Sequence, residues 1–323
     1  MIAFSAFNGL GFNALALKAL GVKVDLLFSS EIDKYANKAA SILYPASVQL
    51  GDITKWREWP IDWSTIDLIV GGSPCQGFSI AGKKAGTTAE VMGQKVIVTD
   101  RELYLQLKAA GAEFLSCSHL FWEFVLLLDH IKAANLKVKF MLENVIMSKQ
   151  YRDMITEALG VECVRINASL VSAQNRPRLY WSNAGSNVTQ PEDRGLLLRD
   201  VVEFGVDPKY NLSDKILAGF ARKVERRKGM PGGFGTFTIK GLFEKAGCLT
   251  ARYSKMAITD TFINTDGKPR RLTPRECGRL QSMDETDINK LLASGISNAQ
   301  LYKMLGNGWN LAVIIHVYRA MGL

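Results

Sequence analysis

Short apolar runs alternate with amphipathic stretches along the first half of the chain, a pattern that predicts strands separated by helices. Residues 1–6 read as a buried strand, followed by the turn Asn8-Gly9-Leu10-Gly11 and an apolar helix through Leu20. A second strand at 24–30 runs into Glu31-Ile32-Asp33, with a helix to about Tyr44, and 47–53 and 66–72 are further short apolar runs. Residues 119–134 are predicted as a mostly buried helix and 139–145 as a strand. A helix closed by Gly160 follows at 151–160, then strands at 161–170 and 178–183. Between them, 80–118 is polar and glycine-bearing with one short helix at 101–111, and is expected to be a long irregular functional loop.

Strands alternating with helices indicate parallel βαβ units, whose ligands bind beyond the C-terminal ends of the strands. Near Asn183 the pattern loosens. Residues 184–270 hold many glycines and the basic run Arg222-Lys223-Val224-Glu225-Arg226-Arg227-Lys228, and read as a second, less regular lobe. The apolar helix expected at 311–323 looks built to pack back on the first lobe. The expected fold is α/β: a Rossmann-like, mostly parallel sheet at 1–183 plus 304–323, with a second, smaller domain at 184–303.

Composition narrows the class. With 323 residues, 47% hydrophobic and 22% charged, the chain is globular and long enough for two unequal lobes. Forty Lys and Arg against 31 Asp and Glu give a net charge of +9, which suits a polyanionic partner without requiring one. The apolar first twenty residues lack a basic start and are broken by Asn8 and Asn13, so a strand, turn and helix are expected there instead of a secretion signal. No stretch is apolar for long enough to span a bilayer, so no membrane partner is expected. The five cysteines, Cys75, Cys117, Cys163, Cys248 and Cys277, lack paired spacing, which argues against a disulfide framework and against zinc.

Four segments carry candidate chemistry. In Phe7-Asn8-Gly9-Leu10-Gly11-Phe12, a glycine turn opening onto a helix lets backbone N–H groups approach a nucleotide-like cofactor. Glu31, after the second strand, is placed to accept ribose hydroxyls, and Asp52 to accept from an adenine amino group. Both acids also suit helix N-caps. Gly71-Gly72-Ser73-Pro74-Cys75-Gln76-Gly77-Phe78-Ser79 holds a thiol rigidly at a strand end, as a nucleophile requires, although a lone cysteine is commonly a buried hydrophobe. In Met141-Leu142-Glu143-Asn144-Val145 a partly desolvated Glu143 suits a proton donor to a ring nitrogen, and Glu-Asn equally suits a helix cap. In Gln174-Asn175-Arg176-Pro177-Arg178 two arginines at i and i+2 share a face of an extended segment and suit a base carbonyl and a phosphate, or a solvated basic edge.

The order of these motifs resembles the cytosine C5-methyltransferase family, in its bacterial and phage forms. Also matching are the family's Arg-x-Leu-Thr-x-x-Glu segment, here Arg271-Leu272-Thr273-Pro274-Arg275-Glu276, and its Gly-Asn helix start, here Gly306-Asn307-Gly308. Only about 80–115 and 184–268 are left unmatched. The resemblance implies Cys75 as nucleophile, Glu143 as acid at cytosine N3 and Arg178 on the base carbonyl, with Asn144 and Gln174 positioning the loop around them. It implies an S-adenosylmethionine pocket lined by Phe7, Asn8, Gly9, Leu10, Gly11, Glu31, Ile32, Asp52, Ile53, Pro74 and Asn307, with no metal. Ser79, Lys83, Lys84, Arg176, Arg226, Arg227 and Arg252 are expected toward DNA, with Tyr253 and Lys255 as further base-reading candidates, and Arg271 and Thr273 as braces between lobes. The implied partner is double-stranded DNA, bound by a monomer in a bacterial cytoplasm, and the second domain is the target-recognition domain. Phe12 departs from the family, which commonly has glycine there, as does Trp309 after Gly308. An RNA-directed relative and a catalytically silent DNA-binding homologue are the alternatives.

Overall fold

The computed structural model describes residues 1–79, 86–227, 237–265 and 267–323. Lys83, Lys84, Lys228 and the side chain of Arg227 lie outside the described residues. Contacts divide the chain into two compact units, one of 1–166, 177–190 and 315–323, the other of 167–176 and 191–314. Compared with the boundaries expected at 183 and 304, residues 167–176 and 304–314 group with the second unit and 184–190 with the first.

The first unit begins with β1 (Ile2–Ala6), α1 (Phe12–Ala19), β2 (Leu26–Ser30), α2 (Lys34–Leu43), β3 (Ser47–Gln49) and β4 (Leu68–Gly71). Next come β5 (Thr88–Val91), β6 (Gln94–Ile97), α3 (Arg101–Ala109), β7 (Glu113–Phe114), α4 (Phe121–Ala134), β8 (Lys139–Val145), α5 (Lys149–Leu159), β9 (Cys163–Asn167) and β10 (Pro177–Ser182). The main sheet runs β3-β2-β1-β4-β8-β10-β9. Its pairs from β3 to β8 are parallel, whereas β10 is antiparallel to β8, with Tyr180 opposite Glu143 and Arg178 opposite Val145. The central strands β1, β4 and β8 are nearly continuous apolar runs because helices cover both faces of a parallel sheet. Phe4, Ile69, Phe140, Leu142 and Trp181 fill the core together with Phe121, Trp122, Phe124 and Leu128 of α4.

Local signals explain the ends of the helices. The Asp33 side chain accepts from the N–H groups of Tyr35 and Ala36 to start α2. Gly160, at φ +69°, ends α5 in the left-handed conformation that favours glycine. The segment 86–118, expected to be irregular, is instead ordered around α3 and a small antiparallel sheet, β6-β5-β7. Its hairpin turns through Met92 and Gly93, both with positive φ, the two-residue geometry that matches strand twist.

In the second unit are α6 (Asp214–Arg227), β11 (Ile239–Lys240), β12 (Phe262–Asn264), β13 (Pro269–Arg271), α7 (Pro274–Leu280), α8 (Glu285–Ala293) and α9 (Asn298–Asn307). Leu212, Phe220, Ile258 and Phe262 form a small core against the inner face of α6. Thr273 and Glu276 make a reciprocal capping box at the start of α7. The last helix, α10 (Leu311–Ala320), belongs to the second unit through Ile314 and to the first from Ile315. In the first unit Tyr318 donates to Asn13 Oδ1 at 2.6 Å.

Candidate active site

The C-terminal ends of the parallel strands share one edge, and three of the four candidate segments meet that edge. After β1 the chain enters left-handed conformations at Phe7 (φ +53°), Gly9 (φ +55°) and Gly11 (φ +97°). A bulky residue such as Phe7 rarely adopts that region, and such strain, on the order of 1–3 kcal/mol, gathers at functional sites. A Cβ at Gly9 would meet nothing within 4 Å, so glycine serves backbone shape there and leaves open space. Glu31 fixes the turn: one carboxylate oxygen accepts from Gly9 N–H at 2.9 Å, the other from Ile32 and Asp33 N–H at 2.8 Å each. Ile32 is 75% exposed directly beside it, an aliphatic face suited to a flat ring. Asp52 caps the short helical turn at Ile53–Glu58 through Oδ1 to Thr54 N–H, which is the capping alternative weighed for it. Leu10 and Ile53, expected in the cofactor pocket, have buried side chains, so only their backbones are left to meet a ligand. Phe12, at the family's glycine position, is likewise turned into the protein.

The thiol segment follows β4. Cys75 is half-buried, unlike the fully buried Cys277. Burial pushes the Cys277 and Cys163 thiols up, so neither offers a thiolate near neutral pH. The Cys75 carbonyl accepts from Phe78 N–H at 3.1 Å and Ser79 N–H at 3.0 Å, folding the chain back behind the thiol. Asn144 reaches across from β8, its Nδ2 donating to Ser73 Oγ at 3.0 Å and Ser73 O at 3.2 Å. Ser79 in turn bridges to Met147.

Glu143 lies within β8, 8% exposed, and neither it nor Asn144 caps a helix, because α5 starts only after Ser148. Partial desolvation was expected around its carboxyl, without a named partner. Instead, Arg178 Nε stands 3.0 Å from Glu143 Oε1. The antiparallel course of β10 brings the start of that strand beside the end of β8.

Arg176 does not share a face with Arg178. Its guanidinium is buried in the second unit, donating to the carbonyls of Leu249 (2.8 Å), Gly306 (3.0 Å) and Gly308 (2.8 Å) and contacting Cys248 Sγ. Gln174 is equally enclosed, donating to Leu280 O and Gln281 Oε1 and accepting from Leu249 N–H. Asn144 and Gln174 thus hold the surrounding backbone, in line with the loop-positioning role expected of them, whereas Arg176, expected toward DNA, is committed to three carbonyls. Tyr253 also leaves the base-reading candidates: it is buried, donating to Thr261 O and accepting from Leu272 N–H. Arg226, Arg252, Lys255 and Asn307 are exposed, all in the second unit. Gly306 permits close packing, since a Cβ there would sit 2.2 Å from the Thr250 backbone.

Two bracing residues escaped the sequence reading. Arg270, 1% exposed, makes a two-pronged pair with Glu276 and donates to Glu203 O. It is Arg270, with Arg271 as the variable position, that fits the spacing Arg-x-Leu-Thr-x-x-Glu. Arg271 lies over the rings of Tyr210 and Tyr302 instead. The other is Ser118, to which no sequence spacing pointed. Among the described residues, no helix is long and apolar enough to cross a membrane, and no group of three or more His, Cys, Asp or Glu side chains is gathered to hold a metal ion.

Comparison with known proteins matches this architecture. The family profile of the C-5 cytosine-specific DNA methylases matches residues 1–94 and 169–322, which includes the Cys75 segment and leaves Glu143 outside. The type II methyltransferase M.NlaX of Neisseria lactamica is 30% identical over 326 residues, spanning 98% of this chain and 93% of the relative. The solved methyltransferase EhMeth of Entamoeba histolytica superposes with a TM-score of 0.70 at 14% identity, over 99% of this chain and 97% of that one. Dnmt2 of S. pombe superposes at 0.65 with 15% identity, over 98% and 97%. The chain therefore belongs to the C-5 cytosine-specific DNA methylase family and is a DNA cytosine-5-methyltransferase.

Proposed function

We propose that the protein methylates C5 of a cytosine extruded from double-stranded DNA, through a covalent bond between Cys75 and C6. One observation carries this reading: the Asn144–Ser73 hydrogen bonds tie the end of β8 to the loop after β4, so that Cys75 and Glu143 belong to one hydrogen-bonded unit. Cytosine C5 is a poor nucleophile. Addition of the Cys75 thiolate at C6 moves electron density to C5, provided N3 takes a proton. Glu143 serves N3, while Arg178, paired with it, meets the base carbonyl and holds the carboxyl in place. Once C5 carries the methyl group, loss of the C5 proton to water expels the thiolate from C6, and return of the N3 proton to Glu143 restores the ring and frees Cys75. Extruding the base costs on the order of a few kcal/mol.

The family and fold imply S-adenosylmethionine, which supplies an electrophilic methyl group when bound. The residues present fit it: the open glycine turn at Gly9, the anchored Glu31, the exposed Ile32, and Asp52 would hold the nucleoside, with Phe7 and Pro74 beside it.

In the second unit, Lys215, Arg222 and Arg226 are exposed on the face of α6 opposite Ile216, Leu217, Phe220 and Val224. At helical spacing the three fall within about 40° of one another over roughly 16 Å, a stripe suited to a phosphate backbone. Replacing Arg222 and Arg226 by glutamine is expected to lower the slope of log affinity against log salt by roughly 0.9 per lost contact, read by titrating duplex binding at several ionic strengths. An unchanged slope removes the stripe from the interface. The overall reading is tested by bisulfite sequencing of DNA from cells expressing the protein. Protected cytosines in one recurrent sequence are expected, and uniformly converted DNA would contradict it.

A further inference from the structure

The loop that carries Cys75 is also held from a segment outside the residues that the family profile matches. Ser118 precedes α4, 0% exposed, in the part of the chain outside the family profile. Its hydroxyl donates to Pro74 O at 2.8 Å and accepts from Gly77 N–H at 2.9 Å, bridging the residues on either side of Cys75-Gln76. Ser116 adds a second clasp: its hydroxyl donates to Gly86 O at 2.6 Å, while Gly86 N–H donates to Gly77 O at 3.0 Å. Space is tight enough there to exclude any side chain at Gly77, whose Cβ would lie 2.4 Å from Ser116 Oγ and 2.6 Å from Gly86 O.

We infer that Ser118 is a positioning residue for the methylation reaction, its hydroxyl fixing the direction in which the Cys75 thiol points. The inference rests on the reading of Cys75 as nucleophile. One hydroxyl satisfies both an acceptor and a donor, so removing it takes that partner from the buried Gly77 N–H and from the part-buried Pro74 carbonyl and frees the loop between them to turn. Attack on C6 needs a defined approach, and a misplacement of about 1 Å can cost about a hundred-fold in rate. Alkylation of the thiol by a small reagent has no such requirement. Loss of Ser118 should therefore separate the two reactivities.

The test is single-turnover methylation of duplex DNA by Ser118→Ala, alongside the rate at which iodoacetamide modifies Cys75. The alkylation is followed by peptide mass spectrometry, because Cys117 and Cys248 are also exposed. Methylation is expected to fall about ten- to a hundred-fold, with duplex affinity retained and Cys75 alkylation undiminished. Ser118→Cys, nearly the same shape with a weaker hydrogen-bonding atom, is expected to fall in between and serves if the alanine variant does not fold. Unchanged methylation in either folded variant overturns the inference, as does a parallel loss of methylation and alkylation. Wild-type protein that still methylates after complete alkylation of Cys75 defeats the nucleophile reading itself, a result the serine variants cannot mimic.

Discussion

Cys75→Ala is expected to lose methyl transfer by at least about 10⁴-fold while still binding duplex DNA. An activating nucleophile has no partial substitute: without sulfur at C6, C5 is not enamine-like. Incorporation of label from a tritiated donor into plasmid DNA measures it, with a mobility shift as control for binding. Two of the other cysteines offer no rescue. Cys277 is buried with its thiol pushed up, and Cys163 is pushed up by burial as well. Label transfer by the alanine variant at more than a trace of the wild-type rate would exclude the covalent route.

The second large effect concerns stability. Glu276→Gln is expected to cost about 3–5 kcal/mol, because it removes the carboxylate that pairs with both prongs of the buried Arg270 guanidinium. Both carboxylate oxygens are committed twice: Oε1 accepts from Arg270 and Glu203 N–H, Oε2 from Arg270 and Thr273 N–H. That loss is a large part of the 5–15 kcal/mol by which folded domains are typically stable. Urea unfolding of the single variant and of the double variant Arg270→Met/Glu276→Leu separates pairing from packing. The double variant is expected to lose less than the single one, since no charge is stranded. Equal losses would mean that shape alone holds α7 in place.

Much of the first unit was legible because its strands are apolar runs long enough to declare themselves and its helices begin and end at recognisable residues such as Asp33 and Gly160. The glycine turn, Glu31 and Cys75 each follow such a strand, and a strand end is a position that one-dimensional reading can find. The β5–β6 hairpin was missed because Met92-Gly93 is not a usual turn pair and its strands are four residues long. Arg176 and Arg178 illustrate a deeper limit. Spacing places them on one side of an extended segment, yet one is committed to three carbonyls far along the chain and the other to Glu143. Partners tens of residues away along the chain leave no mark on local pattern. Ser118 escaped for the same reason, 43 positions from the cysteine whose loop it holds.

The antiparallel strand β10 has a consequence of its own. Glu143 and Arg178 are aligned by a hydrogen-bonded ladder in which Tyr180 faces Glu143 and Arg178 faces Val145. Inserting one residue between Arg178 and Tyr180 would swing the guanidinium to the opposite surface of the sheet. Drift in the neighbouring loops, by contrast, leaves their alignment untouched. The spacing of this pair is thus set inside the two strands, where a change of length breaks it, and not by the connections around them.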